Sequence, residues 1–268
     1  IDRTGEMRFP AGDQRTHRVD SADIDKDGDE DLVLANAGEC QWLVNDGKGH
    51  FSVRAMPPFK IESRHDGASY DVSERRNVYV QFSDINVDGY PDLAFCSSFP
   101  SLLIYINVPD GSGGRTFEAK PDLIEPWPSG HGAEMVELAD VDGDGKPDLT
   151  ITSGNEQTPL WINAWPKGFR FATCNTKLNL PYVDWVTQSC SVGDMNGDGK
   201  PDIAMGQRHE REILLFLQGQ EGWVRRDFKD PSFLLSDTVV ENISHADVDI
   251  DRDQDLVIGL RGQPSLLL

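Results

Sequence analysis

Apolar residues fall along this chain in short runs bounded by Gly, Asn, Asp, Ser and Pro, with no helical periodicity. Runs such as Leu32-Val-Leu, Leu149-Thr-Ile and Leu256-Val-Ile predict buried strands, each ended by a Gly/Asn/Ser-rich turn. A further strand follows in Trp42-Leu-Val, Leu102-Leu-Ile-Tyr-Ile, Leu160-Trp-Ile and Ile213-Leu-Leu-Phe. A loop containing Gly then leads to an aromatic strand, as in Gly49-His-Phe51 and Gly168-Phe-Arg-Phe171. Upstream of each set lies one more short strand ending in a small residue: Ala22, Ser83, Ala139, Gly193 or Ala246. Four strands therefore recur about every 55 residues, the period of a stacked or radial repeat.

Between the first and second strand of every unit stands the same acidic turn. Its copies are Asp23-x-Asp25-x-Asp27-Gly28-x-x-Asp31, Asp84-x-Asn86-x-Asp88-Gly89-x-x-Asp92, Asp140-x-Asp142-x-Asp144-Gly145-x-x-Asp148, Asp194-x-Asn196-x-Asp198-Gly199-x-x-Asp202 and Asp247-x-Asp249-x-Asp251-Arg252-x-x-Asp255. The first aspartates are separated by 61, 56, 54 and 53 residues. An all-β fold is expected, a β-propeller of four-stranded antiparallel blades forming a single domain over residues 1–268. The chain ends at Ser265-Leu-Leu-Leu268, like a third strand, and begins with Ile1–Phe9, which resembles Asn45–Phe51. Five blades closed by the two termini are one expectation; a segment of a larger ring is the other.

Oxygen donors at alternate positions of a tight turn suit a hard divalent cation, and Ca²⁺ accepts six to eight of them. Positions 1, 3, 5 and 9 supply the side chains, position 7 a carbonyl, and Gly at position 6 permits a positive φ. An EF-hand needs Glu at position 12, where this chain has Leu34, Phe95, Ile151, Met205 and Ile258. Packed carboxylates without a cation would repel one another strongly. About five calcium ions are expected, as structural staples. Arg252 replaces the glycine of the fifth turn, where positive φ costs a non-glycine residue about 1–2 kcal/mol.

These turns resemble the calcium-binding FG-GAP or VCBS repeats found in the propeller heads of integrin alpha chains and in secreted bacterial proteins. The resemblance covers the whole chain. It implies that the metal loops share one face of the propeller, while the loops leading into each blade and those between its second and third strands share the other.

The charge changes the list of partners. The sequence has 46 acidic against 25 basic residues and a formal charge of -21, which disfavours nucleic acid and anionic lipid. Five Ca²⁺ ions would add +10 and bring -21 to -11. No apolar run approaches the ~20 residues of a membrane span, and no signal-peptide pattern stands at Ile1. Extracellular calcium fills even sites of ~10⁻⁴–10⁻³ M affinity, so a secreted or cell-surface location is expected. Cys40, Cys96, Cys174 and Cys190 lack zinc spacing. A Cys174–Cys190 disulfide is reasonable outside the cell.

The face opposite the metal is where a ligand is expected. Arg75, His131, Trp185, Arg208 and His209 are the candidate ligand-binding residues, with aromatic stacking on sugars and arginine contacts to carboxylate or sulfate. Arg261 and Glu241 belong to the same set of loops. The predicted role is a binding module for a glycan or an extracellular protein. The alternative is a polysaccharide-active enzyme, a lyase before a hydrolase, with His65, Tyr70, His131 and Arg75 as candidate catalytic residues. A third is a structural segment of a larger adhesin or enzyme.

Overall fold

The computed structural model describes residues 15–36, 39–57, 60–62, 69–71, 77–97, 102–120, 123, 133–153, 160–172, 187–207, 213–219, 222–228, 240–250, 254–262 and 264–267, and all structural statements concern these. The first sheet contains β1 (Thr16–Ala22), β2 (Asp31–Asn36), β3 (Gln41–Asn45) and β4 (Phe51–Ala55), paired antiparallel in chain order. A separate ribbon, β5 (Lys60–Glu62) with β6 (Ser69–Asp71), follows. The second sheet holds β7 (Asn77–Ser83), β8 (Asp92–Ser97), β9 (Leu102–Pro109) and β10 (Arg115–Ala119). The third holds β11 (Ala133–Ala139), β12 (Asp148–Ser153), β13 (Leu160–Asn163) and β14 (Phe169–Ala172). The fourth holds β15 (Thr187–Gly193), β16 (Asp202–Gln207), β17 (Ile213–Gly219) and β18 (Gly222–Phe228). The fifth has β19 (Val240–Ala246), β20 (Asp255–Leu260) and β21 (Leu266–Leu267).

The expected blade is therefore the unit of the fold. Leu266–Leu267 is the third strand of the last blade, as the sequence pattern predicts. Ile1–Phe9, expected to supply its fourth strand, lies outside the described residues. The β5–β6 ribbon was not foreseen; it occupies part of the longest repeat interval.

The chain divides into two compact units, Ile1–Gly132 and Ala133–Leu268. In the first, the side chains of Val33, Ala35, Cys40 and Trp42 meet Val80, Leu93, Phe95, Leu103, Tyr105 and Phe117 of the next blade in one core. Trp42 and Phe117 touch edge to face with centroids 5.3 Å apart. Rings and branched aliphatics in such a seam each contribute ~1.5–3 kcal/mol by burial. Asp20 of β1 also accepts the Phe82 N–H of β7 at 2.7 Å. In the second unit, Val141 and Leu160 pack with Cys190, Val192, Ile203, Leu214 and Phe216. Ala204 and Ile213 pack with Val240, Ile243, Leu256 and Ile258. Gly206 makes the last contact possible: a Cβ there would lie 2.5 Å from Val240 Cγ1.

A register shift recurs near the start of the first strand of all five sheets, between Thr16 and Arg18, Asn77 and Tyr79, Ala133 and Met135, Thr187 and Ser189, and Val240 and Asn242. Such bulges bend a strand and re-aim its side chains. They sit at the strand end opposite the aspartate turns.

Candidate metal centres on the aspartate turns

Each turn leaves the end of a sheet's first strand and enters its second, so the blade fixes both of its ends. Within the turn, the carboxylates organise the backbone. The position-1 aspartate accepts the N–H of position 5: Asp23 from Asp27 at 3.1 Å, and Asp84 from Asp88, Asp140 from Asp144 and Asp194 from Asp198 at 3.0 Å. Its other oxygen accepts the N–H of the position-6 glycine, at 3.1 Å for Gly28, 2.8 Å for Gly89 and Gly145, and 2.7 Å for Gly199. Position 5 in turn accepts from position 7, as Asp27 does from Asp29 at 3.0 Å and Asp88 from Tyr90 at 2.9 Å.

The glycines adopt the expected positive φ: 95° at Gly28, 88° at Gly89, 85° at Gly145 and 83° at Gly199. Position 4 is left-handed as well, which the repeat pattern does not reveal. Lys26 (66°), Val87 (58°), Gly143 (78°), Gly197 (73°) and Ile250 (67°) all occupy it. Two glycines at that position were the available signal. Arg252 and Asp251 of the fifth turn lie outside the described residues.

Three sets of carboxylates have oxygens within 4.8 Å of one another: Asp23, Asp25 and Asp27; Asp140, Asp142 and Asp148; Asp247, Asp249 and Asp255. In the second and fourth turns Asn86 and Asn196 stand at position 3, and their side-chain oxygens accept the N–H of Asp88 and Asp198 at 2.9 Å. Burial raises the carboxyls of Asp25 and Asp142 above the usual range, and the neighbouring carboxylates raise them further. One Asp25 oxygen, Oδ1, is buried without a hydrogen-bond partner. An orphaned buried oxygen among like charges is a poor end state for a protein alone but a good ligand for a hard cation. The donor set therefore fits a divalent metal.

Position 9 has a second duty that the sequence does not reveal. Asp31, Asp92, Asp148 and Asp202 are almost wholly buried at the start of their strands. One oxygen of each accepts the N–H of position 2: Ile24 at 3.2 Å, Ile85 and Val141 at 2.9 Å, Met195 at 3.0 Å. The other accepts an N–H from the last residues of the third strand: Asn45 at 2.7 Å, and Asn107, Asn163 and Gln218 at 2.8 Å. Burial pushes Asp31 up to about 6 and Asp92 and Asp148 up to about 7, against the pull of these donors.

Of the candidates for the opposite face, few are among the described residues. His65, Arg75, His131, Trp185, Arg208 and His209 lie outside the described residues, as does Cys174. Tyr70 is on β6, its backbone paired with Ile61. Arg261 forms an exposed ion pair with Glu241, the bulged residue of β19. Cys40, Cys96 and Cys190 are buried.

With this geometry in hand, the comparisons with known proteins are specific about the repeat and general about the rest. The FG-GAP-like repeat family matches residues 84–151 and 140–205, spans that begin at the second and third turns. No curated protein sequence matches the chain. A lectin from Agrocybe aegerita, described by its specific recognition of non-reducing terminal N-acetylglucosamine, superposes with a TM-score of 0.54 at 17% identity, over 91% of this chain and 62% of its own. The Chaetomium thermophilum Polycomb Repressive Complex 2 bound to GSK126 contains a chain that superposes with a TM-score of 0.53 at 11% identity, over 97% of this chain and 52% of that one. The chain thus spans less than two thirds of either. At these identities the likeness is one of fold.

Proposed function

We propose that this chain, which carries FG-GAP-like repeats and folds into β-propeller blades, is a calcium-stabilised binding module. The observation that carries the reading is the set of close carboxylate clusters on turns whose backbone is already wrapped for a cation. Calcium would supply positive charge to clusters that burial and mutual repulsion otherwise strain. Asp23, Asp25, Asp27 and Asp31 would hold it in the first turn. Asp84, Asn86, Asp88 and Asp92 would do so in the second, and Asp140, Asp142, Asp144 and Asp148 in the third. Asp194, Asn196, Asp198 and Asp202 would serve the fourth, with Asp247, Asp249, Asp251 and Asp255 in the fifth.

The reading extends to a secreted or cell-surface location, where calcium is abundant. The ligand is a glycan or an extracellular protein, taken on the face opposite the metal. The likeness in fold to a glycan-recognising lectin supports the glycan. Metal analysis of protein equilibrated with millimolar calcium tests the first part, with about five ions per chain expected and fewer than three overturning it. A panel of neutral and acidic glycans, read for binding and for ultraviolet-absorbing unsaturated products, tests the second. Binding without product supports the module; product formation would replace it with a lyase.

A further inference from the structure

We infer that Asn107 and Gln218 are positioning residues, each of which ties two metal turns together, so that neighbouring sites fill as coupled pairs. The inference rests on the calcium reading above and adds a property to it.

Asn107 lies near the end of β9 in the second blade and is 1% exposed. Its backbone N–H holds Asp92 Oδ1, position 9 of its own turn, at 2.8 Å. Its side-chain Nδ2 donates to the Pro91 carbonyl of that turn at 3.1 Å. The same Nδ2 donates at 2.9 Å to the carbonyl of Ile24, which lies between Asp23 and Asp25 in the preceding blade's turn. Arg115 Nε holds Asn107 Oδ1 at 2.9 Å, and the Arg115 guanidinium lies 3.7 Å from the centre of the Tyr90 ring in the second turn. The Ile24 side chain is fully buried in the core that it shares with Val80, Leu93 and Tyr105. Both the backbone and the side chain of position 2 in one turn are thus gripped by the next blade.

The second unit repeats the wiring with a different residue. Gln218 at the end of β17 holds Asp202 Oδ1 through its N–H at 2.8 Å. Its Nε2 donates at 3.3 Å to the carbonyl of Val141, between Asp140 and Asp142 of the preceding turn. Val141 is buried against Cys190, Val192 and Phe216 of the same blade as Gln218. Ordering one turn fixes the amide that holds its neighbour, and coupling of this kind is reciprocal between sites.

The first pair offers a local probe, because Tyr90 belongs to the second turn and sensitises the emission of bound Tb³⁺. Tb³⁺ is titrated into the intact chain, its Asp25→Ala variant, and both forms carrying Asn107→Asp, an isosteric change that removes the donors to the Ile24 and Pro91 carbonyls. The Tyr90→Phe variant identifies the signal of the second site. Asp25→Ala is expected to weaken the second site about threefold to tenfold, the range of one or two hydrogen bonds. In the Asn107→Asp background the same change is expected to leave that site's affinity unaltered. An affinity indifferent to Asp25→Ala overturns the coupling while leaving the metal reading intact, and this arm does not depend on Asn107→Asp folding. Absence of any Tb³⁺ or Ca²⁺ binding overturns the metal reading itself.

Discussion

Two glycines, Gly145 in a turn and Gly206 on β16, separate backbone strain from crowding. Gly145 has φ of 85° and nothing within 4 Å of where a Cβ would be, so Gly145→Ala tests conformation alone. A loss of about 1–2 kcal/mol is expected in chemical denaturation. Gly206 has ordinary backbone angles but no room, with Val240 Cγ1 at 2.5 Å and Ser189 Oγ at 2.7 Å from the added Cβ. Gly206→Ala is expected to cost at least as much, by parting the fourth blade from the fifth. Val87 presents the opposite case. It is 55% exposed at φ 58°, a conformation that a β-branched side chain resists. Val87→Gly removes that strain at a smaller cost in unfolded-state entropy, so the melting temperature should hold or rise. A fall would mean that Val87 is held for a contact rather than tolerated.

At the scale of elements, the seams between blades depend on position 2 of the turns. Ile24 is fully buried although it lies in a loop, because the next blade closes over it. Ile24→Ala is expected to destabilise by ~2–5 kcal/mol, as for a core aliphatic residue, whereas substitution of exposed Val53 on β4 should change little. Much of this scale was legible. Strand order, the four-stranded unit and the turn glycines followed from apolar runs and fixed spacing, because those depend on neighbours in sequence. Position 2 carried no assignment in the repeat, where it stands between two ligands. The roles of Asn107 and Gln218 were hidden, since their partners are 83 and 77 residues away. The bulges at His17 and Glu241 were hidden too, because register is set by pairing across strands. The positive φ at Lys26, Val87 and Ile250 contradicts their individual preferences; at Lys26 and Val87 it accompanies hydrogen bonds from the next two N–H groups to the position-1 aspartate.

Across the whole molecule, a formal charge of -21 makes stability depend on how the turn carboxylates are neutralised, either by protons or by metal. Asp92 and Asp148 are pushed by burial to about 7 and Asp31 to about 6, above the 3.8 of an ordinary aspartate. A carboxyl whose value is higher in the folded state binds protons more tightly there than in the unfolded chain. In EDTA, then, the stability these groups contribute is full at and below about pH 4 and is lost as pH rises to about 7. This slope is opposite to that of acid denaturation driven by paired carboxylates. Calcium binds the deprotonated form, so saturating calcium should flatten or reverse the trend and raise the melting temperature most at and above pH 7. Melting curves at pH 5, 6, 7 and 8, each in EDTA and in calcium, check both signs at once. A separation between the two sets that widens with pH is the expected result. Parallel curves would mean that the position-9 aspartates are structural struts alone, held by Asn45, Asn107, Asn163 and Gln218 without the metal.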